Sequence, residues 1–266
     1  MPKVVLITGS SDGIGRLTAE CFAKRGWDVA ATARRPETIE ARDNMSAFRL
    51  DVNDEESIAA AVAATVERFG TIDVLVNNAG YGLFGPLEGT TTAQLEAQFR
   101  TNVLGAAAVI RQVLPVMRNR RSGTIVNVSS LAGRMAAPFM SAYHATKFAL
   151  EGLSESLWFE LSLHGIRVKI VEPAHFKTSF LERSLQRTSH PAYDAPFENY
   201  MGWVLKEAAK APGPQPVAEA IYRAANDGSA RLRYPVGGTL VRALCALVPG
   251  SVWRSLNAAG MTRPSK

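Results

Sequence analysis

The chain has 266 residues, 47% of them hydrophobic and 20% charged, which excludes a collagen-like or low-complexity disordered protein and suffices to bury one sizeable core. Its formal net charge of +6 permits a nucleic acid, a membrane surface or a phosphorylated ligand as partner. Two cysteines and four histidines offer neither a disulfide framework nor a metal-ligand cluster, so we expect a cytoplasmic protein without a bound metal.

Strand-like and helix-like segments alternate from the first residues onward. The predicted strands are short apolar runs at residues 4–7, 28–33, 47–50, 73–76, 125–128 and 167–171. The predicted helices between them cover residues 14–25, 58–69, 92–118 and 142–163. This alternation favours right-handed crossover units and an α/β fold with one doubly wound parallel sheet, a three-layer Rossmann-type architecture.

The character of the sequence changes after residue 180. Residues 180–215 hold aromatic, proline and mixed charged residues, with a helical piece at residues 203–210. A helix at residues 217–226, a strand at residues 232–236 and an apolar helix from residue 240 follow. We interpret residues 1–266 as a single domain in which residues 180–215 form a substrate-covering insertion. The longest apolar stretch, residues 103–110, is too short to span a bilayer.

A glycine-rich segment, called the glycine loop below, joins the first strand to the first helix. It reads Thr-Gly-Ser-Ser-Asp-Gly-Ile-Gly at residues 8–15. Glycines at such a turn let the backbone approach a pyrophosphate, which the free N–H groups of the helix N-terminus bind. The segment predicts a dinucleotide site, with an ordinary glycine-rich connection as the alternative.

A tyrosine and a lysine stand four residues apart in the helix predicted at residues 142–163. This spacing puts them on one face, so the Lys147 ammonium can approach the Tyr143 phenol, favour the phenolate and lower the pKa of Tyr143. An ordinary surface pair is the alternative. Ser130 and the Asn-Asn-Ala-Gly segment at residues 77–80 favour the functional interpretation, because both follow predicted strands at the edge where open α/β sheets bind ligands.

Over about residues 3–180 these motifs, in this order, resemble the short-chain dehydrogenase/reductase family. The resemblance implies a catalytic tetrad of Asn102, Ser130, Tyr143 and Lys147. The expected cofactor contacts lie in the glycine loop, after the strands and in the catalytic helix: Gly9, Ser11, Asp12, Gly13, Ile14, Gly15, Arg34, Arg35, Asp51, Val52, Asn78, Ala79, Gly80, Tyr143, Lys147, Pro173 and Thr178. Ala174 stands where the family pattern has a glycine.

The resemblance further implies hydride transfer between nicotinamide and a carbonyl or carbinol carbon. Tyr143 would exchange a proton with the substrate oxygen, which the Ser130 hydroxyl would also hydrogen-bond. Lys147 would hold the nicotinamide ribose, and Asn102 would keep a water of the proton relay. Ser130 and Tyr143 are thus the expected substrate contacts.

The end of the second predicted strand indicates which cofactor to expect. It reads Ala33-Arg34-Arg35 and offers no carboxylate to accept from the 2′-hydroxyl of NAD. Two guanidiniums favour a 2′-phosphate, so we expect NADP(H). A solvated turn is the alternative role for Arg34 and Arg35.

The substrate side is indicated only by bulky side chains in segments expected to cover the site. They suggest either an apolar pocket for a bulky ketone or alcohol, or the core of a lid: Phe139, Met140, Phe176, Phe180, Leu181, Tyr200 and Trp203. We expect His144 and His175 to be packed or surface residues. A C-terminal apolar stripe is expected to pack on its own domain rather than on a membrane or partner: Leu240, Val241, Leu244, Leu247 and Val248.

Partners and an alternative function complete these expectations. The resemblance implies a homodimer or homotetramer formed through the helices at residues 92–118 and 142–163. The sequence has no long basic run or motif that indicates nucleic acid as a partner. A non-catalytic, dinucleotide-binding regulatory protein of the same fold is the alternative function, against which the intact Ser130, Tyr143 and Lys147 argue.

Overall fold

The structure is a computed structural model that describes residues 2–239, 243, 247 and 250–262. The strands in these residues are β1 (Val4–Thr8), β2 (Asp28–Ala33), β3 (Met45–Arg49), β4 (Val74–Asn77), β5 (Gly82–Phe84), β6 (Gly123–Val128), β7 (Ile166–Pro173), β8 (Leu185–Arg187) and β9 (Arg233–Val236). The α-helices are α1 (Gly13–Ala23), α2 (Glu55–Phe69), α3 (Thr92–Phe99), α4 (Ala106–Arg120), α5 (Ser141–Ser162), α6 (Phe180–Arg183), α7 (Asp194–Lys210), α8 (Gln215–Asn226) and α9 (Gly250–Thr262).

Seven strands form one parallel sheet in the order β3-β2-β1-β4-β6-β7-β9. The doubly wound parallel sheet predicted from the alternating segments is therefore confirmed. The order reverses between β1 and β4, which pair directly with Ile7 opposite Val76. Such a reversal opens a crevice beyond the carboxyl ends of the two strands, where sheets of this kind bind ligands.

Both faces of the sheet are buried, which explains why its central strands are continuous apolar runs. In β1, Val5 and Ile7 belong to the core that α1 and α8 cover, whereas Leu6 belongs to the core under α2, α4 and α5. Val74, Leu75 and Val76 of β4 alternate in the same way. This period of two follows from the pleat of a strand and produces the three layers of the fold.

Two differences from the predicted elements lie close to the candidate site. The helix predicted at residues 92–118 is three pieces, because a π-helical segment, Arg100–Gly105, separates α3 from α4. Residues 180–215 contain a short strand, β8, besides helices, and β8 pairs in parallel with β5 in a separate two-stranded sheet that was not predicted. The division into one domain with an insertion stays a prediction.

The C-terminal apolar stripe is only partly covered by the structure. Leu240, Val241, Leu244 and Val248 lie outside the described residues, and Leu247 is 83% exposed. Among the residues with assigned positions, no helix combines the length and the apolar character that crossing a bilayer requires.

Candidate active site

The glycine loop is fastened to the end of β4 by hydrogen bonds. The Asn78 side-chain amide donates to the carbonyl oxygens of Thr8, at 3.0 Å, and Gly9, at 3.1 Å. The Thr8 hydroxyl accepts from the backbone N–H groups of Asn78 and Ala79, each at 3.0 Å. The loop and the Asn-Asn-Ala-Gly segment are therefore one hydrogen-bonded unit at the point where the strand order reverses.

Two steric requirements explain the glycines of this loop. Gly9 has a φ of +71° and Gly13 a φ of +55°, a conformation that side chains with a Cβ rarely adopt. A Cβ on Gly15 would lie 2.1 Å from the Gly9 carbonyl oxygen and 2.5 Å from the Asn78 Nδ2 atom. Only glycine allows α1 to begin so close to the loop that precedes it.

Asp12 begins α1 and also contacts a distant part of the chain. Its carboxylate accepts from the Gly13 N–H at 2.7 Å, which caps the helix, and pairs with the Arg183 guanidinium at 2.9 Å. A hydrogen bond with Ser179 is the main cause that lowers the pKa of Asp12, and Arg183 adds to it. Ser11, beside it, is exposed, and Ile14 packs against the core under α1. Residues 178–210 are called the lid below. The lid contacts the glycine loop through the ion pair between Arg183 and Asp12.

Ser130 and Tyr143 meet at the end of β6. The Ser130 hydroxyl donates to the Pro173 carbonyl at 3.4 Å and accepts from the Ala132 N–H at 3.1 Å, and it lies close enough to the Tyr143 phenol to influence the pKa of Tyr143. The Lys147 Nζ atom lies 5.8 Å from the centroid of the Tyr143 ring. The structure therefore brings together three members of the predicted tetrad.

The predicted lowering of the Tyr143 pKa is wrong for this structure. Tyr143 is 8% exposed, and its burial raises the pKa of the phenol to about 12, partly offset by the hydrogen bond with Ser130. The Lys147 ammonium donates to the Val128 carbonyl at 3.0 Å rather than to the phenol. Burial also lowers the pKa of Lys147 itself to about 8. The desolvation of Tyr143 thus outweighs the effect of the nearby cation.

Asn102, the fourth member, lies in the π-helical segment and joins two parts of the site. Its Oδ1 atom accepts from the Tyr81 N–H at 3.0 Å, and its Nδ2 atom donates to the Tyr81 carbonyl at 2.9 Å and the Thr146 hydroxyl at 3.1 Å. A Cβ on Gly80 would lie 3.0 Å from Asn102 Oδ1, so the loop after β4 packs closely on this amide. The side-chain amide connects that loop to α5, and a role in holding water stays a prediction.

The remaining predicted cofactor residues follow other strands of the same sheet edge. Asp51 and Val52 come after β3; the Asp51 carboxylate accepts from the Asn53 N–H at 3.0 Å, and Val52 is buried. Pro173 ends β7, and Thr178 lies 3.9 Å from the position of a Cβ on Gly13. Ala174 has no positive φ, so its replacement of the family's glycine causes no strain there.

Arg34 and Arg35 follow β2 and are exposed. Their side chains form neither an ion pair nor a hydrogen bond with any other residue that the structure describes. An exposed, unpaired guanidinium can bind an anion without first breaking an internal contact.

An apolar cluster covers Tyr143. Its ring lies 5.7 Å from that of Phe84 and 5.9 Å from that of Phe180, between ring centroids. The cluster also contains Ala132, Phe139, Met140, Leu181, Leu185, Phe197 and Met201. Tyr200 contacts its margin through Phe139, with ring centroids 6.0 Å apart. Two residues expected there lie elsewhere: Phe176 packs against the core under α1 and α8, and Trp203 is 51% exposed.

The two histidines near the site have the packed or surface roles that we expected. His144 is buried, with Nδ1 2.7 Å from the Ala132 carbonyl oxygen and Nε2 accepting from the Ala137 N–H at 3.0 Å. This pattern requires a neutral ring protonated at Nδ1, and burial lowers the pKa of His144 accordingly. His175 is exposed.

Several residues of the site were not singled out from the sequence. Arg183 pairs with Asp12 across 171 residues of sequence separation, and no local pattern signals such a contact. Phe84 lies in the three-residue β5, and Phe197 and Met201 lie in α7, whose start was predicted too late. Their contacts with Tyr143 depend on the path of the lid.

Three comparisons with known proteins agree with this architecture. The sequence pattern of the short chain dehydrogenase family matches residues 3–189. YusZ of Bacillus subtilis, described as an uncharacterized oxidoreductase, is 38% identical over 272 aligned residues that cover 96% of each chain. A solved short-chain dehydrogenase from Streptomyces avermitilis has a TM-score of 0.83 and 38% identity, covering 97% of this chain and 95% of that one. ElxO, solved with NADP bound, has a TM-score of 0.75 and 32% identity, covering 91% of this chain and 100% of that one.

The family pattern spans the chain from β1 to β8, which includes six of the seven strands of the large sheet, the glycine loop and the Ser130–Tyr143–Lys147 group. Relatives of about the same length extend the match to nearly the whole chain. The chain therefore belongs to the short-chain dehydrogenase/reductase family of oxidoreductases.

Proposed function

We propose that the protein is an NADP(H)-dependent oxidoreductase that moves a hydride between nicotinamide and a carbonyl or carbinol carbon of a bulky apolar substrate. The observation that carries this proposal is the grouping of Ser130, Tyr143 and Lys147 after β6, with the Lys147 Nζ atom 5.8 Å from the centroid of the Tyr143 ring. In this group a proton donor and an orienting hydroxyl would act together at the sheet edge to which the glycine loop is fastened. The amine of Lys147 lies behind the tyrosine ring.

The glycine loop fits a dinucleotide. Positive φ at Gly9 and Gly13 and the missing Cβ of Gly15 leave backbone free to contact a pyrophosphate at the N-terminus of α1. When bound, the nicotinamide supplies the hydride or accepts it. Lys147 lies close enough to Tyr143 to hold a ribose hydroxyl beside it, and Asn78 and Ala79 fix the loop that faces this space.

The protein's own residues handle the proton. In reduction, Tyr143 would give its proton to the oxygen of a carbonyl whose carbon receives the hydride that reduced nicotinamide would supply, and the resulting tyrosinate would be reprotonated from solvent. Ser130 hydrogen-bonds the same oxygen and orients it. A phenol whose pKa is about 12 keeps its proton at neutral pH and is therefore present as the donor.

The preference for NADP(H) rests on charge at the end of β2. A cavity of about 230 Å³ opens beside the glycine loop, lined by Ser10, Arg16, Ala19, Glu20, Thr38, Ile39, Glu40, Arg42 and Met45. Its two arginines are each paired with a glutamate of the same wall, Arg16 with Glu20 at 3.5 Å and Arg42 with Glu40 at 3.6 Å. Arg34 and Arg35 do not line this cavity, but among the described residues after β2 they are exposed and unpaired, which supports a role in binding a 2′-phosphate. ElxO, a relative of the same fold, was solved with NADP bound, which supports this choice.

The cluster around Tyr143 supports an apolar substrate. Rings and aliphatic side chains from β5, the segment before α5 and the lid surround the phenol. A substrate that brings its carbonyl to Ser130 and Tyr143 must displace or contact these side chains. Burial of apolar substrate surface against them is favourable by about 25 cal/mol per Å².

Self-association through α5 is part of the proposal. Phe148 and Phe159 of this helix are 47% and 63% exposed, and Leu104 of the neighbouring π-helical segment is 60% exposed. Exposed large apolar side chains on neighbouring elements are typical of subunit contacts. We propose a homodimer or homotetramer, and a cytoplasmic location stays a prediction.

The decisive experiment replaces the proton donor. With a panel of bulky ketones and NADPH, we expect wild-type turnover, and Tyr143→Phe should lower kcat by about 10³-fold or more while the affinity for NADPH changes little. Tyr222→Phe, which removes a hydroxyl from α8 on the opposite side of the fold, is the control. Substantial turnover by Tyr143→Phe would overturn the mechanism. NADPH binding without turnover of any substrate would favour the regulatory alternative.

The cofactor preference has a separate test. Replacing Arg34 and Arg35 together by alanine should raise the KM for NADPH by about 10²-fold or more and leave the KM for NADH nearly unchanged, because each lost charge-assisted contact is worth about 1.5–3 kcal/mol. Arg118→Ala, an exposed arginine in the last turn of α4, is the control. A wild-type preference for NADH would refute the assignment.

A further inference from the structure

Behind Lys147, α5 carries a second buried charged residue that the proposed reaction does not use. Glu151 stands four residues after Lys147, so both side chains lie on the same face of the helix. Glu151 is 4% exposed and Lys147 8%. The Oε1 atom of Glu151 has no hydrogen-bond partner among the described residues. A carboxylate in this position requires a compensating charge, because burial of an isolated charge is costly.

The chain after β6 closes this face of α5 against solvent. A Cβ on Gly133 would lie 2.9 Å from the Glu151 Cγ atom and 3.1 Å from the Lys147 carbonyl oxygen. It would also lie 2.8 Å from the Ser129 hydroxyl, a second buried group that lacks a partner in the described part of the chain. Because residue 133 is a glycine, this turn packs directly over Glu151 and Lys147. Charges that are buried in this way interact strongly, because the protein interior has a low dielectric constant.

One arginine is shared among three carboxylates beside this pair. The Arg233 Nε atom of β9 lies 3.1 Å from Glu151 Oε2 and 3.4 Å from Glu172 Oε1 of β7, and its Nη2 atom lies 2.8 Å from Glu155 Oε2. Glu155 is largely solvated, whereas Glu151 and Glu172 are buried. The two buried carboxylates therefore share a single guanidinium with a third carboxylate, and the Lys147 ammonium on the same face of α5 is a further positive charge that can compensate them.

Burial and the charge of Glu151 have opposite effects on the pKa of Lys147. Burial lowers the pKa of Lys147 to about 8, and the negative charge of Glu151 opposes this change. Among the described residues, the other groups that contact Lys147 are neutral at pH 7: the Tyr143 phenol and the Val128 carbonyl. In the same part of the chain, the charged groups near Glu151 are Lys147 and Glu155 on its own helix, Glu172 on β7 and Arg233 on β9.

We propose that Glu151 is a positioning residue that keeps the Lys147 amine in its ammonium form, with Arg233 holding the Glu151 carboxylate in place. The inference rests on the proposed role of Lys147 in binding the ribose and supporting Tyr143. Through Glu151, the charged residues Glu172 of β7 and Arg233 of β9 would thus influence the reaction electrostatically.

The first test is the pH dependence of kcat/KM. Glu151→Gln keeps the shape of the side chain and removes its charge, so the alkaline limb should move to lower pH by about one unit. Glu151→Asp keeps the charge, so the alkaline limb of its pH profile should lie at about the same pH as in the wild type. Glu155→Gln is the matched control, because it removes a solvated partner of the same Arg233 and should leave the limb unchanged. An unshifted limb in Glu151→Gln, or a loss of activity in Glu151→Asp equal to that in Glu151→Gln, would overturn the proposal.

A second test needs no turnover. The Glu151–Lys147 attraction exists only where Lys147 is protonated, so the stability difference between wild type and Glu151→Gln in urea should narrow from pH 7 to pH 10. For Glu155→Gln the difference should stay constant. An equal difference at both pH values for Glu151→Gln would refute the inference. If the wild type fails to reduce any substrate, the proposed function fails, and this comparison still decides the role of Glu151.

Discussion

The glycine loop and the lid meet at Asp12 but are held by different forces. The loop is fixed by backbone and amide hydrogen bonds between 3.0 and 3.1 Å and by glycines that allow no Cβ. The lid is held over Tyr143 by apolar side chains and by ion pairs with exposed arginines, such as Arg183–Asp12. Hydrogen bonds fix direction and distance, whereas apolar contacts tolerate repacking. We therefore expect substitutions in the loop to be the more damaging.

The largest effect is expected in the loop. In Gly15→Ala, the added Cβ would lie 2.1 Å from the Gly9 carbonyl oxygen, so the loop must move. We expect a loss of about 1–3 kcal/mol in the free energy of unfolding and at least about a tenfold loss in NADPH affinity. Urea unfolding and fluorescence titration measure the two quantities.

Gly202→Ala, in the lid, is the matched control for this substitution. Gly202 lies in α7, and no heavy atom lies within 4 Å of its added Cβ. Alanine there should stabilise the helix by about 0.5–1 kcal/mol. Wild-type affinity and stability in Gly15→Ala would show that the loop is as adaptable as the lid.

Smaller losses of stability are expected for substitutions of Asp12 and Arg183, the two residues of the ion pair between the glycine loop and the lid. Asp12→Ala removes the cap of α1 as well as the ion pair and should cost about 1 kcal/mol. Arg183→Ala removes only a partner whose side chain is 73% exposed and should cost less. Because the pKa of Asp12 is lowered in the folded state, its contribution is present at neutral pH and is lost on acidification. Equal losses in the two variants at pH 7 would contradict this prediction, because they would mean that the helix cap adds nothing to the contribution of the ion pair.

Burial explains which parts of the fold could be predicted. The strand predicted at residues 28–33 coincides with β2, and the other central strands differ by a few residues, because strands buried on both faces must be apolar. The order of motifs along the chain was enough to place Ser130, Tyr143 and Lys147 together. The pairing of β5 with β8 was not predictable, since three-residue strands about 100 residues apart leave no periodic pattern.

The pKa of Tyr143 is a property that the local spacing of residues in the sequence did not predict. The distance between Tyr143 and Lys147 in sequence suggested a lowered value, but the lid determines how much water reaches the phenol. Phe180 and Phe197, which cover it, belong to segments far along the chain. Desolvation depends on such distant residues, and a motif of five residues contains no information about them.

The buried phenol has a consequence for the direction of the proposed reaction. The resting protein already stores, on Tyr143, the proton that one round of carbonyl reduction consumes. Alcohol oxidation must instead begin by extracting that proton from a desolvated site, an uphill step at neutral pH that becomes easier in alkaline solution. We therefore expect the rate of the proposed alcohol oxidation to increase with pH up to the range, near pH 8, in which Lys147 loses its proton.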